Sequence, residues 1–161
     1  MQNIEIKQAT KNDVPVILRF IKRLAEYEKL SYQVTATEQK LEKSLFSEKP
    51  DAEVLLAYLK NEPVAIAIFF HNYSTFLAQK GLYLEDLFVL EEYRNKGIGK
   101  KLLQYLAQIA VQRNCGRFEW SVLDWNAPAI NFYKSIGAKI KPEWLTTQLT
   151  GKALSDFAKL K

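Results

Sequence analysis

The sequence predicts an α/β fold, a mixed sheet flanked by helices, on three observations. Between residues 53 and 90 it reads as successive apolar strands joined by short polar breaks, the pattern of antiparallel neighbours. After residue 94 it alternates helix with strand, the pattern of a parallel unit. The 161 residues contain no internal repeat, linker or compositional break, so one domain spanning 1–161 is expected.

Each element has its own signal. Ile4, Ile6 and Gln8 alternate with Glu5 and Lys7, a short half-buried strand. From Asp13, a candidate N-cap, Val14, Ile17, Leu18, Ile21, Leu24 and Ala25 recur at helical spacing to about Tyr27. Thr35 and Glu38 have capping-box spacing before Leu41 and Leu45, which predicts a second helix. Glu53 to Lys60 reads as a strand, Asn61-Glu62-Pro63 as its turn, and Val64 to Tyr73 as a second strand with Pro63 at its beginning. A break near Ser74 to Gly81 precedes a third, Leu82 to Leu90. Lys100 to Arg113 is helical, with Ile98, Leu102, Leu106, Ile109 and Ala110 on one stripe. Arg117 to Leu123 reads as a strand, Ala127 to Ser135 as a short helix, and Ala138 to Ile140 and Trp144 to Thr150 as closing strands. A turn and small helix over Gly151 to Leu160 end the chain.

Composition narrows the function classes. With 48% hydrophobic and 25% charged residues, 6 Gly and 5 Pro, disorder and low complexity are excluded. The apolar run Val64 to Phe70 is of strand length, far below the ~18 residues that span a bilayer, and the start shows no secretory pattern. Cys115, the one cysteine, cannot form a disulfide framework, so a cytoplasmic setting is expected. Net charge is +5. Residues 1–80 carry 11 basic and 10 acidic side chains and 81–161 carry 12 and 8, which leans the second half toward an anionic ligand. No basic run demands nucleic acid or a membrane surface as partner.

The strongest local feature is Arg94-Asn95-Lys96-Gly97-Ile98-Gly99, between an apolar strand and an amphipathic helix. Two glycines let backbone approach an oxygen-rich ligand, the free N–H groups opening a helix bind pyrophosphate, and Lys96, Lys100 and Lys101 add positive potential. It is neither a dinucleotide fingerprint, which needs a third glycine, nor a P-loop, which needs Gly-Lys-Ser/Thr. His71 is the sole histidine and reads as structural. Without a second histidine or a thiolate pair no metal site is expected. Cys115 shows no Cys-His acylation pattern.

Leu82 to Val89, Tyr93-Arg94-x-x-Gly97-x-Gly99, and Trp125-Asn126-x-x-Ala129-x-x-Phe132-Tyr133-x-x-x-Gly137-Ala138 occur in that order, with Leu24-Ala25-x-Tyr27-Glu28 in the first helix. Together they resemble the GCN5-related N-acetyltransferases (GNAT superfamily), specifically the diamine and polyamine (spermidine/spermine-type) branch, over essentially the whole chain. The resemblance implies a central mixed sheet splayed between its fourth and fifth strands, acetyl-CoA as cosubstrate in the split, and a homodimer. It implies that Leu87, Phe88 and Val89 lie along the pantetheine arm, that Arg94, Asn95, Lys96, Gly97, Ile98, Gly99 and Lys100 wrap the pyrophosphate, and that Asn126 contacts the coenzyme.

The chemistry expected of such a protein is direct transfer to a primary amine, with no covalent enzyme intermediate. A primary ammonium titrating near ~10.4 has no lone pair for attack, so a nearby carboxylate must accept its proton directly or through water. The resemblance puts Glu85 in that role. It puts Tyr133 as the acid for the departing thiolate and as a coenzyme contact; an ordinary phenol near pKa ~10 is protonated at neutral pH. Glu28 and Asp86, with Tyr27, Trp125 and Glu119, are the acidic and aromatic groups that would hold a distal ammonium. One departure is Gln148, where many relatives carry Arg or Lys four residues after the equivalent of Trp144. The rival readings are a non-catalytic acyl-CoA-binding regulatory module and an acetyltransferase acting on a protein amine.

Overall fold

The structure is a computed structural model that describes residues 3–159. The chain divides into two compact units, 1–121 and 122–161.

The first unit holds a five-stranded sheet in the order β1 (Ile4–Gln8), β2 (Glu53–Leu59), β3 (Glu62–Ser74), β4 (Gln79–Val89), β5 (Phe118–Trp120). All neighbours are antiparallel except β4 and β5, which are parallel. Its helices are α1 (Val14–Tyr27), α2 (Glu38–Leu45) and α3 (Ile98–Gln112). Pro15 is tolerated in the first turn of α1, where no intrahelical N–H bond is lost. Val14, Ile17 and Phe20 of α1 pack with Leu41 of α2 on Val54, Leu56, Ile66, Ile68 and Phe88. The other sheet face presents Leu55, Ala57, Ala65, Ala67 and Phe69, as strand alternation requires. Helix α3 packs on β3 and β4 and buries Ile98, Leu102, Leu103, Leu106 and Ala110.

Two irregularities interrupt the ladder. Where Pro63 enters β3, lacking a donor, the β2–β3 register shifts. The second governs the site. Ile68 pairs with Asp86 but Phe69 with Leu84, so Glu85 is the extra residue of a β-bulge. Because side-chain direction has a period of two, one inserted residue exchanges the faces. Leu84 shares the face of Phe69, whereas Asp86 and Phe88 share the α1 face with Ile68 and Ile66.

The caps differ from the sequence reading at two places. Thr37, not Thr35, caps α2, its Oγ1 accepting from Lys40 N at 3.2 Å, because Thr37 stands three residues before that donor. Asp13 turns its carboxylate back to Thr10, accepting from its N–H (2.7 Å) and hydroxyl (2.8 Å), and does not cap α1 with its side chain.

The second unit holds α4 (Ala127–Ser135) and α5 (Gly151–Phe157). Asn126 Oδ1 accepts from Ala129 N at 3.4 Å at the start of α4. Gly137, at φ +89°, ends it while Ala138 N returns to the Tyr133 carbonyl. The expected strands Ala138–Ile140 and Trp144–Thr150 are not strands here. Strand propensity alone does not make a strand, which needs a ladder partner. The expected strand Arg117–Leu123 contracts to Phe118–Trp120 for the same reason, since its pairing with β4 ends there. The proposed helix boundary at Leu160 lies outside the described residues.

Candidate active site

The site's framework is the C-terminal half of β4. Its pairing with β5 covers only Leu82, Tyr83 and Leu84, so the backbone from Glu85 to Val89 has no β5 ladder on that edge. Leu90 N donates to Val64 O at 3.0 Å, which makes 64/90 a hydrogen-bonded pair. Alternation then directs Phe88 to β3 and the backbone groups of Leu87 and Val89 to the free edge. Arg94 Nε takes the Val89 carbonyl at 3.0 Å, as that direction requires. An extended amide-bearing chain could add to this edge as a strand does.

Beyond β4 lies the loop into α3. Asn95 (φ +60°) and Gly97 (φ +76°) are both left-handed, and Gly97 is the N-cap. Successive backbone N–H groups in such a turn form an anion-binding concavity. Lys101 N bonds Gly97 O, so the amides opening the 15-residue helix precede the first intrahelical bond. A Cβ on Gly97 would meet nothing within 4 Å, so its conformation, not space, selects glycine. Lys96 and Lys100 are exposed, and Lys96 Nζ donates to Glu92 O at 3.0 Å. These residues fit a coenzyme's pyrophosphate. Gly97→Val, β-branched at a positive φ, is expected to weaken coenzyme A binding by about tenfold through distortion of this turn, read by titration calorimetry; unaltered affinity would show that the loop does not carry the anion.

Acidic residues gather at the bulge and at the end of α1. The bulge points Asp86 to the α1 face, and Glu28 is the C-cap residue of α1. The Asp86 carboxyl is raised from 3.8 to about 6, first by burial and then by the charges of Glu85 and Glu28. Burial also raises Glu28. Glu85 itself is exposed on the bulge. Among the described residues none of these three carboxylates forms an ion pair, so together they attract a cation, and a bulged carboxylate at an open edge can accept a proton.

Tyr27, expected as a substrate contact, lies beside Arg94. The Arg94 guanidinium carbon lies 4.4 Å from its ring centroid and 5.4 Å from that of Phe88. Glu119 Oε1 is 2.7 Å from Arg117 Nε and accepts from Asn72 Nδ2 at 3.1 Å. His71 Nδ1 is 3.0 Å from Gly81 O and its Nε2 3.0 Å from Arg113, which holds Glu53. Cys115 Sγ is 3.9 Å from His71 Nδ1, a proximity the sequence did not announce.

In the second unit, Tyr133 is half-buried on α4 with its ring 5.7 Å from that of Phe132. Asn126 caps that helix, Trp125 is half exposed, and Gln148 is exposed in a segment without regular structure.

Sequence reasoning missed the bulge and the Arg94–Tyr27 stack. A signal for the first was available: alternation stops at Glu85-Asp86, which are followed by four apolar residues. The second had none, because residues 67 positions apart carry no mutual periodicity.

An antiparallel sheet with one parallel edge strand, a bulged strand open at its end and a left-handed turn into a helix make up the frame of the site. The acetyltransferase (GNAT) family model matches residues 21–138, and the chain belongs to that family. It is an N-acetyltransferase. It is 36% identical to an L-ornithine N5-acetyltransferase of Arabidopsis thaliana, over 96% of this chain and 88% of that protein. It is also 36% identical to a thialysine N-epsilon-acetyltransferase of Mus musculus, over 98% and 99%. Among solved structures, an integron cassette protein from the mobile metagenome of V. cholerae superposes with a TM-score of 0.81 at 31% identity, over 99% of this chain and all of that one. Among the described residues no helix is long and apolar enough to cross a membrane.

Proposed function

We propose that this chain acetylates the primary amine of a small diamine, polyamine or lysine-like amine, with acetyl-CoA as donor. The observation that carries this reading is the convergence of Glu28, Glu85 and Asp86 beside the open end of β4. A monoamine needs no such cluster, whereas a substrate with a second ammonium is held by it. Relatives whose names specify ornithine and thialysine, both carrying more than one amino group, support the same class.

In this reading Leu87 and Val89 hold the coenzyme arm through backbone groups, with Phe88 between them, and the turn from Arg94 to Lys100 binds the pyrophosphate. Acetyl-CoA supplies the thioester. Glu85 accepts the proton of the attacking ammonium, directly or through water, and the Leu87 and Val89 amides orient the acyl carbonyl. Glu28 and Asp86 hold the distal ammonium, with Trp125 as a further amine contact. Tyr133 donates a proton to the sulfur, and Asn126 holds the coenzyme arm. We further propose one catalytic domain, since the family match runs across both units, a cytoplasmic setting, and a homodimer. Exposed Trp144, Leu145 and Phe157 support an assembly surface, and light scattering should give twice the chain mass.

The experiment is acetyl-CoA consumption with mass detection of product across spermidine, spermine, short diamines, ornithine, lysine, thialysine and a histone peptide. Acetylation of small amines bearing two ammonium groups is expected. Exclusive use of the peptide, or coenzyme binding with no transfer to any amine, overturns the reading.

A further inference from the structure

The last residues of α1 serve two neighbours at once. Glu28 faces the acidic group at Asp86, while Tyr27, one residue earlier, lies under the guanidinium of Arg94. Arg94 is held at three points: the Tyr27 ring at 4.4 Å, the Phe88 ring at 5.4 Å, and the Val89 carbonyl, which accepts from Nε at 3.0 Å. Phe88 is buried in the α1 core and its ring is 6.3 Å from that of Tyr27. A guanidinium has five N–H donors; committing Nε to backbone leaves the four on its terminal nitrogens for an anion.

An arginine side chain has ~2 kcal/mol of rotamer entropy to lose when it binds. A ring already beneath the guanidinium removes part of that loss beforehand, which raises affinity without a new contact to the ligand. We infer that Tyr27 is a positioning residue for the coenzyme, acting through Arg94, in addition to any contact its ring makes with the amine. The inference rests on acetyl-CoA binding at the Arg94–Lys100 turn.

Coenzyme A affinity by titration calorimetry, and the two Michaelis constants separately, test it in Tyr27→Leu and Tyr27→Phe. Tyr27→Leu is expected to weaken coenzyme A binding about three- to tenfold, the scale of a partly exposed cation–π contact with its packing, and to raise the KM for acetyl-CoA in parallel. Tyr27→Phe, which keeps the ring, should recover most of the affinity. In the Arg94→Gln background Tyr27→Leu should have little further effect, since a shared pathway is non-additive. Unchanged coenzyme A affinity in folded Tyr27→Leu, or a rise in the amine KM alone, overturns the inference. If Tyr27→Leu does not fold, Arg94→Lys with and without Tyr27→Phe supplies the comparison: a lysine without the planar fork should bind coenzyme A several-fold more weakly, and equal binding overturns the inference. A wild-type protein that binds no coenzyme A refutes the proposed function itself, whereas one that binds but is indifferent to Tyr27 refutes only this step.

Discussion

Tyr133→Phe is expected to lower kcat by about 10²-fold, the lower end of what one positioned proton donor supplies, with coenzyme A affinity little changed. The substitution removes one hydroxyl. The bonds that finish α4 use main chain, Ala138 N to Tyr133 O at 3.0 Å and Ile136 N to the same carbonyl at 3.2 Å, so the helix end is preserved. The loss should fall equally on kcat and kcat/KM, because the proton is needed only as the sulfur departs. Single-turnover acetylation measured beside calorimetric binding separates the two quantities. Unchanged turnover would remove Tyr133 as the acid.

Asp86→Asn is expected to lose function and gain stability. Its carboxyl is raised from 3.8 to about 6, so between those values the folded chain binds a proton that the unfolded chain releases. Stability therefore falls as pH rises from about 4 through about 6 and is level above. The full shift corresponds to at most about 3 kcal/mol. Asparagine keeps the shape without the charge, so the variant should melt higher than the wild type at pH 7.5 and lack this part of the decline. Glu28 shifts in the same direction and is present in both proteins, so the difference between them isolates Asp86.

A bound ammonium favours the ionised carboxylate. The wild type's preference for diamines over monoamines should strengthen as pH rises through about 6, while Asp86→Asn should raise the diamine KM about tenfold and flatten that dependence. Equal losses on diamine and monoamine would show that Asp86 does not hold the distal charge. Equal melting curves would show that the acidic group is not strained in the free protein.

A chain of net charge +5 can still hold a local acidic group, and the charges of Glu85 and Glu28 that help raise Asp86 are its signature. Charge count is a property of the whole surface, whereas three carboxylates near one another act locally. Lys96 and Lys100 belong to the turn that follows β4, whereas Asp86 lies within β4 on the face toward α1, so the two fields arise from different segments and coexist.

The sequence by itself determined the elements whose signals are local. The stripe Val14, Ile17, Leu18, Ile21, Leu24 and Ala25 placed α1, and α4 occupies Ala127–Ser135 as read, because Asn126 caps its start and Gly137 closes its end. The turn at Gly97 was legible because a positive φ leaves its mark in residue choice. Only the tertiary structure decided what depends on partners distant in sequence. Whether 138–140 and 144–150 form strands turns on a neighbouring ladder, and the length of β5 on where β4 stops pairing. The direction of Asp86 turns on one residue inserted opposite Ile68 and Phe69, and the place of Tyr27 on an arginine 67 positions away. Periodicity reports which face a residue takes within its own element. Bulges, ladder ends and cation–π contacts arise when two elements meet, and no single stretch of sequence encodes that meeting.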